Sequence, residues 1–281
     1  HWTVLTSRNT HVNTWVSSVA WSSFMTGQNP AKHGIFGFID RDPATLKTFI
    51  PTALHMKSRT LWEIIGDAGK RVVVVNVPVT FPPKAVNGVL ISGFLSPRLE
   101  KAVQPPSLLP KLQELGYRID ADPWLARQSL DKAWPDLWDA LEKRTQTLLY
   151  LLGHEPWDFF MGLIMETDRL HHFWFEPMER NDPVWAPKFF ELYRYVDDFI
   201  GQVRQRLGEN DTLMLMSDHG ACSIKKEVFY NHWLHDAGYL RYSKPPEEIK
   251  GPDLEAVHPD SVAYSMDPGR IFINLKGREK N

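Results

Sequence analysis

Two short polar motifs in this sequence carry residue types that bind divalent metals. The first is Asp218-His219-Gly220, which directly follows the apolar run 213–216 and Ser217. A carboxylate beside an imidazole is a good ligand pair for zinc or manganese, and the glycine lets the backbone turn sharply behind them. Taken alone, such a pair is equally typical of a hydrogen-bonded structural cap.

The second motif has the same arrangement and strengthens the first. The apolar run 159–165 ends in Glu166-Thr167-Asp168-Arg169-Leu170-His171-His172. If a helical turn begins here, Asp168 and His172 fall on one face because they are four residues apart, so they can share a metal. His171 then points elsewhere. Two such motifs in one chain predict metal chemistry far more strongly than either does alone.

A third segment could supply a nucleophile. Ser17 and Ser18 precede a predicted helix over residues 20–25. The plain interpretation is a serine cap at the start of that helix. A hydroxyl at a helix N-terminus is also well placed for phosphate chemistry, because free N–H groups and the helix dipole stabilise an anion. His33, beside Gly34, is expected to be a structural turn residue.

The elements that must position these motifs alternate between helices and apolar strands. Periodicity predicts helices over residues 59–69, 130–152 and 184–207, and strands over residues 72–77, 89–92, 158–165, 212–216 and 270–275. This alternation predicts an α/β fold with a mostly parallel central sheet and helices on both faces. Asp218 and His219 then lie at the carboxyl end of a strand, where ligands bind in such sheets.

The chain reads as a single domain over residues 1–281, with one irregular part. Residues 93–137 are richer in proline and less periodic than the rest. We expect this segment to be a small insertion or cap beside the main sheet.

Composition excludes several classes of partner. A net charge of −2 and a pI near 6.6 provide no basic surplus, so no nucleic-acid polymer is expected to bind. The longest apolar runs, such as 159–165, are too short to cross a bilayer. The single cysteine, Cys222, cannot form an internal disulfide, which favours a cytoplasmic location. The oligomeric state is left open.

The three segments, in this order, resemble the type I phosphodiesterase and nucleotide pyrophosphatase branch of the alkaline phosphatase superfamily, especially its prokaryotic members. The motifs that carry the resemblance are Ser-Ser-Val-Ala-Trp-Ser-Ser-Phe-Met-Thr-Gly at 17–27, Asn-Pro at 29–30, His-Gly-Ile-Phe at 33–36, Glu-Thr-Asp-Arg-Leu at 166–170 and Ser-Asp-His-Gly at 217–220. Further matches lie at 76–83, 87–89 and 269–278. The resemblance therefore spans nearly the whole chain.

What the resemblance implies is a phosphoesterase, a phosphodiesterase or phosphatase, acting on a small-molecule phosphoester with two divalent ions, zinc or else manganese. Counting back from His33 places the family nucleophile on Ser17, with Ser18 next if the register slips by one. On the family pattern Asp168 and His172 hold one metal. Asp218, His219 and the Ser17 oxygen hold the other.

This sequence departs from the family pattern in three places. Relatives begin with a strand that ends in a metal-binding aspartate, and they carry a further metal-binding histidine beyond the strand at 270–275. The sequence has neither, so we expect it to be a portion of a longer protein and, if complete, to be inactive. Phe38 lies near a position where nucleotide pyrophosphatases have an asparagine that contacts phosphate, which disfavours nucleotide diesters.

Two alternatives remain open. One is a phosphotransferase or mutase of the same superfamily, with manganese in place of zinc. The other is a non-catalytic binding module whose incomplete metal site holds a ligand without turnover. A sulfatase is disfavoured, because Cys222 follows the metal motif and does not occupy the nucleophile position.

Overall fold

The computed structural model describes residues 16–245, 248–249, 254–266 and 269–279. Its helices are α1 (Ser17–Thr26), α2 (Pro30–His33), α3 (Leu61–Asp67), α4 (Leu109–Glu114), α5 (Pro123–Gln128), α6 (Leu130–His154), α7 (Glu166–Glu179), α8 (Trp185–Arg206) and α9 (Tyr230–Asp236). Its strands are β1 (Asp40–Arg41), β2 (Thr48–Phe49), β3 (Val72–Val75), β4 (Gly88–Ile91), β5 (Val103–Gln104), β6 (Phe159–Gly162), β7 (Ala263–Ser265) and β8 (Ile271–Ile273).

The central sheet has the strand order β5-β4-β3-β6. Strand β3 pairs in parallel with both β4 and β6, and β5 pairs antiparallel with β4 at one edge. The fold is therefore mixed α/β around a sheet that contains parallel strands, as the sequence predicts. The parallel pairs bring the carboxyl ends of β3, β4 and β6 to one edge of the sheet.

Strand β3 contributes to two hydrophobic clusters. All four of its valines are fully buried. Val73 and Val75 belong to one cluster with Leu148 of α6 and Phe199 of α8, whereas Val72 and Val74 belong to another with Trp21 of α1 and Trp62 of α3. This division follows from the period of two along a strand, which points successive side chains to opposite faces.

Local sequence signals explain where several helices begin and end. At the start of α3 the Thr60 side chain accepts from the Glu63 N–H, and the Glu63 carboxylate accepts from the Thr60 N–H at 2.8 Å. This reciprocal arrangement is a capping box. Helix α1 ends at Gly27, whose φ of 63° is a left-handed conformation that glycine adopts without strain.

Most of the predicted elements are present with ends shifted by a few residues, but the strand predicted at 212–216 was wrong. Residues 211–217 form no regular structure and are exposed. In the described part of the chain the sheet ends at β6, so this run has no neighbouring strand with which to form a ladder of hydrogen bonds. An apolar run without a pairing partner does not produce a strand.

The segment at 93–137 contains β5, α4, α5 and the start of α6. Its strand lies at the edge of the central sheet, and its helix α5 packs against α6. A further cluster, formed mainly from the region beyond α8, includes Leu46, Leu234, Leu240 and Tyr264. None of the helices in the described residues has the length and apolar character that crossing a membrane requires.

Candidate metal and nucleophile site

The structure brings together all five residues that the sequence singled out. Ser17 is the first residue of α1, Asp168 and His172 lie on α7, and Asp218 and His219 follow the exposed run at 211–217. The Nε2 atom of His219 lies 3.0 Å from Ser17 Oγ, 3.9 Å from an oxygen of Asp168 and 3.4 Å from Oδ2 of Asp218. His172 Nε2 lies 3.5 Å from the other oxygen of Asp168. His219 is therefore the centre of the group.

The hydrogen bonds of His219 indicate which ring nitrogen carries the proton in the neutral imidazole. Its Nδ1 lies 2.9 Å from the carbonyl oxygen of Gly220. A carbonyl oxygen only accepts, so Nδ1–H is the donor. The Nε2 lone pair then faces Ser17 Oγ and the two carboxylates. Metal-binding histidines commonly use their second nitrogen in this way, donating it to a backbone carbonyl.

Helix α7 arranges Asp168 and His172 as the spacing predicts. Both lie in its first two turns, and their side chains approach each other four residues apart. His171 instead faces α8: its Nε2 lies 2.8 Å from the Tyr193 hydroxyl, and its ring stacks on Phe189. Burial lowers the pKa of His171 from its ordinary value. The prediction that His171 points away from the other two residues is confirmed.

The donor set fits a divalent metal by chemistry. Asp218 Oδ2 is buried and has no hydrogen-bond partner among the described residues. A buried carboxylate oxygen without a partner is costly unless it binds a cation. Two ligands of one tetrahedral ion, each at its usual bond length, lie about 3.3 Å apart. The separations of 3.4 Å for Asp218–His219 and 3.5 Å for Asp168–His172 are close to that value.

The described residues do not provide a complete set of ligands for one metal ion. Within the ranges that the structure describes, no group of three or more His, Cys, Asp or Glu side chains is arranged to hold a metal ion. The residues supply ligand pairs, Asp168 with His172 and Asp218 with His219. The two pairs therefore agree with the prediction of two metals in the kind of donor atom they offer, but neither pair is a complete set of ligands.

The N-terminus of α1 faces this group through Ser17. Val16 occupies the N-cap position, and no side chain in the described residues caps the helix there. The first-turn N–H groups of a helix favour an anion, an effect that a side-chain cap would weaken. Ser18, the alternative nucleophile, is instead buried with 2% of its surface exposed, and its hydroxyl has no partner in the described residues. Of these two serines, Ser17 is the one whose hydroxyl contacts His219.

Sequence reasoning missed the groups that support the site. Glu166 belongs to the second motif, yet its side chain is fully buried in an ion pair with Arg144 of α6. Arg169 in the same motif donates to Asp120. The available signal was the spacing of two between Glu166 and Asp168, which places their side chains about 200° apart around a helix. Such spacing predicts one buried and one site-facing carboxylate.

An aromatic flank lies beside the same motif. Phe38 packs edge-to-face on Phe94 with ring centroids 5.7 Å apart. The Arg169 guanidinium lies over the Phe94 ring at 4.8 Å. Phe38 therefore contacts the Phe94 ring, and that ring in turn contacts Arg169, the residue that follows Asp168.

Comparison with known proteins identifies one family. A family model described as type I phosphodiesterase / nucleotide pyrophosphatase matches residues 9–280. Searches of curated proteins and of solved structures give no match to the chain. The match spans all three motifs.

Proposed function

The chain belongs to the type I phosphodiesterase / nucleotide pyrophosphatase family, and on that premise we propose that it hydrolyses small-molecule phosphoesters with Ser17 as the nucleophile. Members of this family are typically metal-dependent phosphoester hydrolases. We further propose the alkaline phosphatase-like arrangement for the fold, with helices covering both faces of the central sheet.

The observation that carries this proposal is the contact between Ser17 Oγ and His219 Nε2 at 3.0 Å. The two residues are 202 positions apart in the sequence, and each belongs to a different motif. A serine hydroxyl becomes a nucleophile when a neighbouring group stabilises its deprotonated form. The N-terminus of α1 is suited to that task, and the contact places Ser17 Oγ beside the His219 Nε2 lone pair, so the two atoms could share one metal ion.

The reaction that these residues support is an in-line displacement at phosphorus. Ser17 Oγ forms a bond to phosphorus, the bond to the leaving oxygen breaks, and the serine proton ends on the leaving alcohol. The N–H groups at the start of α1 hold the non-bridging oxygens, since they favour negative charge. Water then attacks the phosphoserine, releases the second product and restores the Ser17 hydroxyl.

Divalent metal ions would be held by the two ligand pairs. Asp168 and His172 would bind one ion, and Asp218 and His219 would bind the other together with Ser17 Oγ. When bound, such ions lower the pKa of a coordinated hydroxyl and neutralise charge on the transferring phosphoryl group. The unpartnered, buried Asp218 Oδ2 supports this assignment.

Hydrolysis of bis-p-nitrophenyl phosphate and p-nitrophenyl phosphate with added zinc or manganese tests the proposal. The chain should be compared with its Ser17→Ala and Asp218→Ala variants. Metal-dependent turnover that is lost in both variants is the expected result, and the preferred ester distinguishes a diesterase from a phosphatase. A folded chain without turnover under any metal contradicts the proposal and favours a binding module. Phosphate retained on an added alcohol would indicate a transferase.

A further inference from the structure

We propose that the buried Arg144–Glu166 ion pair is a positioning device that fixes the first turn of α7, so that Asp168 meets His219. Both side chains are fully buried. Neither is among the residues that contact Ser17, so neither is a catalytic residue. The inference rests on the proposed function for its meaning, because Asp168 is a predicted metal ligand.

The pair is a fixed, multiply bonded connection. Arg144 Nε lies 2.8 Å and 2.9 Å from the two oxygens of Glu166, and Arg144 Nη2 lies 2.8 Å from one of them. The guanidinium also donates to the Tyr117 hydroxyl at 3.0 Å and to the Ile119 carbonyl at 2.8 Å. Burial raises the pKa of Tyr117, so its hydroxyl stays neutral. A bidentate guanidinium fixes orientation as well as distance.

The network also reaches the end of the central sheet. Asn76 follows β3 directly, is fully buried and has a φ of 68°. The Asn76 side-chain amide has one orientation in which both its oxygen and its nitrogen form hydrogen bonds. In that orientation the oxygen accepts from Arg144 Nη1 at 2.8 Å, and the nitrogen donates to the Ile119 carbonyl at 3.1 Å. The start of α7 is thereby tied through Arg144 to the carboxyl end of β3.

Glu166 and Asp168 divide two tasks within one turn. A separation of two residues puts their side chains about 200° apart around the helix. Glu166 points into the network, whereas Asp168 lies 3.9 Å from His219 Nε2. Rotation or translation of the first turn of α7 would therefore move Asp168 directly. Hydrophobic residues can often replace a buried ion pair without loss of stability, so fold stability alone does not explain the pair.

The test removes both charges together. A double variant, Arg144→Met with Glu166→Met, avoids leaving one buried charge unpaired, which would itself unfold the protein. The matched control is Arg41→Met with Glu279→Met, because that pair is also buried and lies outside the α6–α7 region. Melting temperatures establish that both double variants are folded. One further variant, Arg144→Lys, keeps both charges and reports whether a conservative change preserves activity.

Two measurements separate this inference from the proposed function. The first is steady-state kinetics with bis-p-nitrophenyl phosphate, for which we expect kcat to fall about 100-fold in the Arg144/Glu166 variant, as for a misplacement of about 1 Å, and to stay within about twofold in the control. The second is the NMR spectrum of the imidazole Hε1 protons, assigned with His172→Gln and His219→Gln. It does not depend on turnover.

The expected NMR result is that the His172 and His219 resonances move in the Arg144/Glu166 variant and stay in place in the control. A kcat for Arg144→Lys that lies between the values of the parent chain and the Arg144/Glu166 double variant would further support a positioning role. A folded Arg144/Glu166 variant with unshifted histidine resonances overturns the inference, whether or not the parent chain turns over. Absence of turnover in the parent chain, with shifted resonances, contradicts only the proposed function.

Discussion

His219 is the side chain at which the separate parts of the site meet. Residue type and spacing pointed to the two carboxylates and two imidazoles of this group, because such residues after apolar runs suit metal chemistry, whereas Ser17 came from the resemblance to the family. They could not predict that Nδ1 of His219 donates to the Gly220 carbonyl and leaves Nε2 free. That orientation depends on backbone geometry after residue 217. The partnerless oxygen of Asp218 likewise became visible only in three dimensions.

The choice between Ser17 and Ser18 is testable with one substitution each. Ser17→Ala removes the hydroxyl that lies 3.0 Å from His219 Nε2, and we expect phosphoester turnover to fall by about 1000-fold or more, as for loss of a nucleophile. Ser18→Ala removes a buried hydroxyl with no partner in the described residues, and turnover should stay within a few-fold. Initial rates at saturating metal measure both. The reverse order of effects would place the nucleophile on Ser18.

His33 gives the chain a predicted acid sensitivity. The Ile35 N–H donates to its Nδ1 at 3.1 Å, so its Nε2–H donates to Ser23 Oγ at 3.1 Å. Burial lowers the His33 pKa from 6.5 to about 4. Because the unfolded chain binds this proton more readily, the free energy of unfolding falls as pH falls from 6.5 towards 4. The full loss is on the order of 2 kcal/mol once solvent screening is allowed for.

Urea unfolding at several pH values between 7 and 4 measures this contribution. We expect His33→Gln to flatten the decline, since glutamine stays neutral and can still form hydrogen bonds. His232→Gln is the control, because that side chain is 80% exposed. If His33→Gln follows the slope of the parent chain, His33 does not control the acid response.

At the scale of elements, the sequence was most informative where a strand is buried or a helix is strongly periodic. The β-branched run 72–77 predicted β3. The strand is present, and its four valines pack against hydrophobic clusters on both faces of the sheet. The run 212–216 is also apolar, with Leu and Met where β3 has valines, and it forms no strand, since pairing depends on a neighbour that local sequence does not contain. The helix that places Asp168 and His172 was predicted only conditionally. Its start is fixed by the buried Glu166, a tertiary contact.

The carboxyl ends of β3 and β4 approach too closely for any side chain at Gly93. A Cβ there would lie 2.1 Å from the Asn76 carbonyl oxygen. We expect Gly93→Ala to lower the free energy of unfolding by about 3 kcal/mol or more, because backbone atoms relax poorly around added volume. Gly153→Ala is the control, since nothing lies within 4 Å of its Cβ position.

Gly153 lies within α6, so alanine there should stabilise by up to about 1 kcal/mol. Chemical denaturation of the two variants gives the comparison. Equal free energies of unfolding for the two variants would contradict the close approach of Gly93 to the Asn76 carbonyl oxygen.

In the part of the chain that the structure describes, several large exposed apolar side chains fall within residues 213–229. Met214, Ile224 and Phe229 have 73%, 79% and 72% of their surface exposed. Exposed apolar side chains of this size attract apolar dyes when they lie on one surface. Composition gave no sign of this feature, because the total apolar content is ordinary and only the fold decides which residues are covered.

Binding of the dye ANS tests that description. We expect the native chain to enhance ANS fluorescence, and the triple variant Met214→Lys, Ile224→Lys, Phe229→Lys to lose most of the enhancement while melting normally. Leu54→Lys serves as a control, because Leu54 is 77% exposed but lies on a different part of the chain. Unchanged fluorescence in the triple variant would mean that these side chains are covered in solution.

The central claim is that Ser17 attacks phosphorus, and trapping the covalent intermediate tests it most directly. The chain would be mixed with zinc and p-nitrophenyl phosphate, quenched in acid during turnover, digested and analysed by tandem mass spectrometry. We expect a phosphoryl group on Ser17 that is absent from the Ser17→Ala variant. Continued turnover with no phosphoryl group on Ser17, or with the group on another residue, would contradict it.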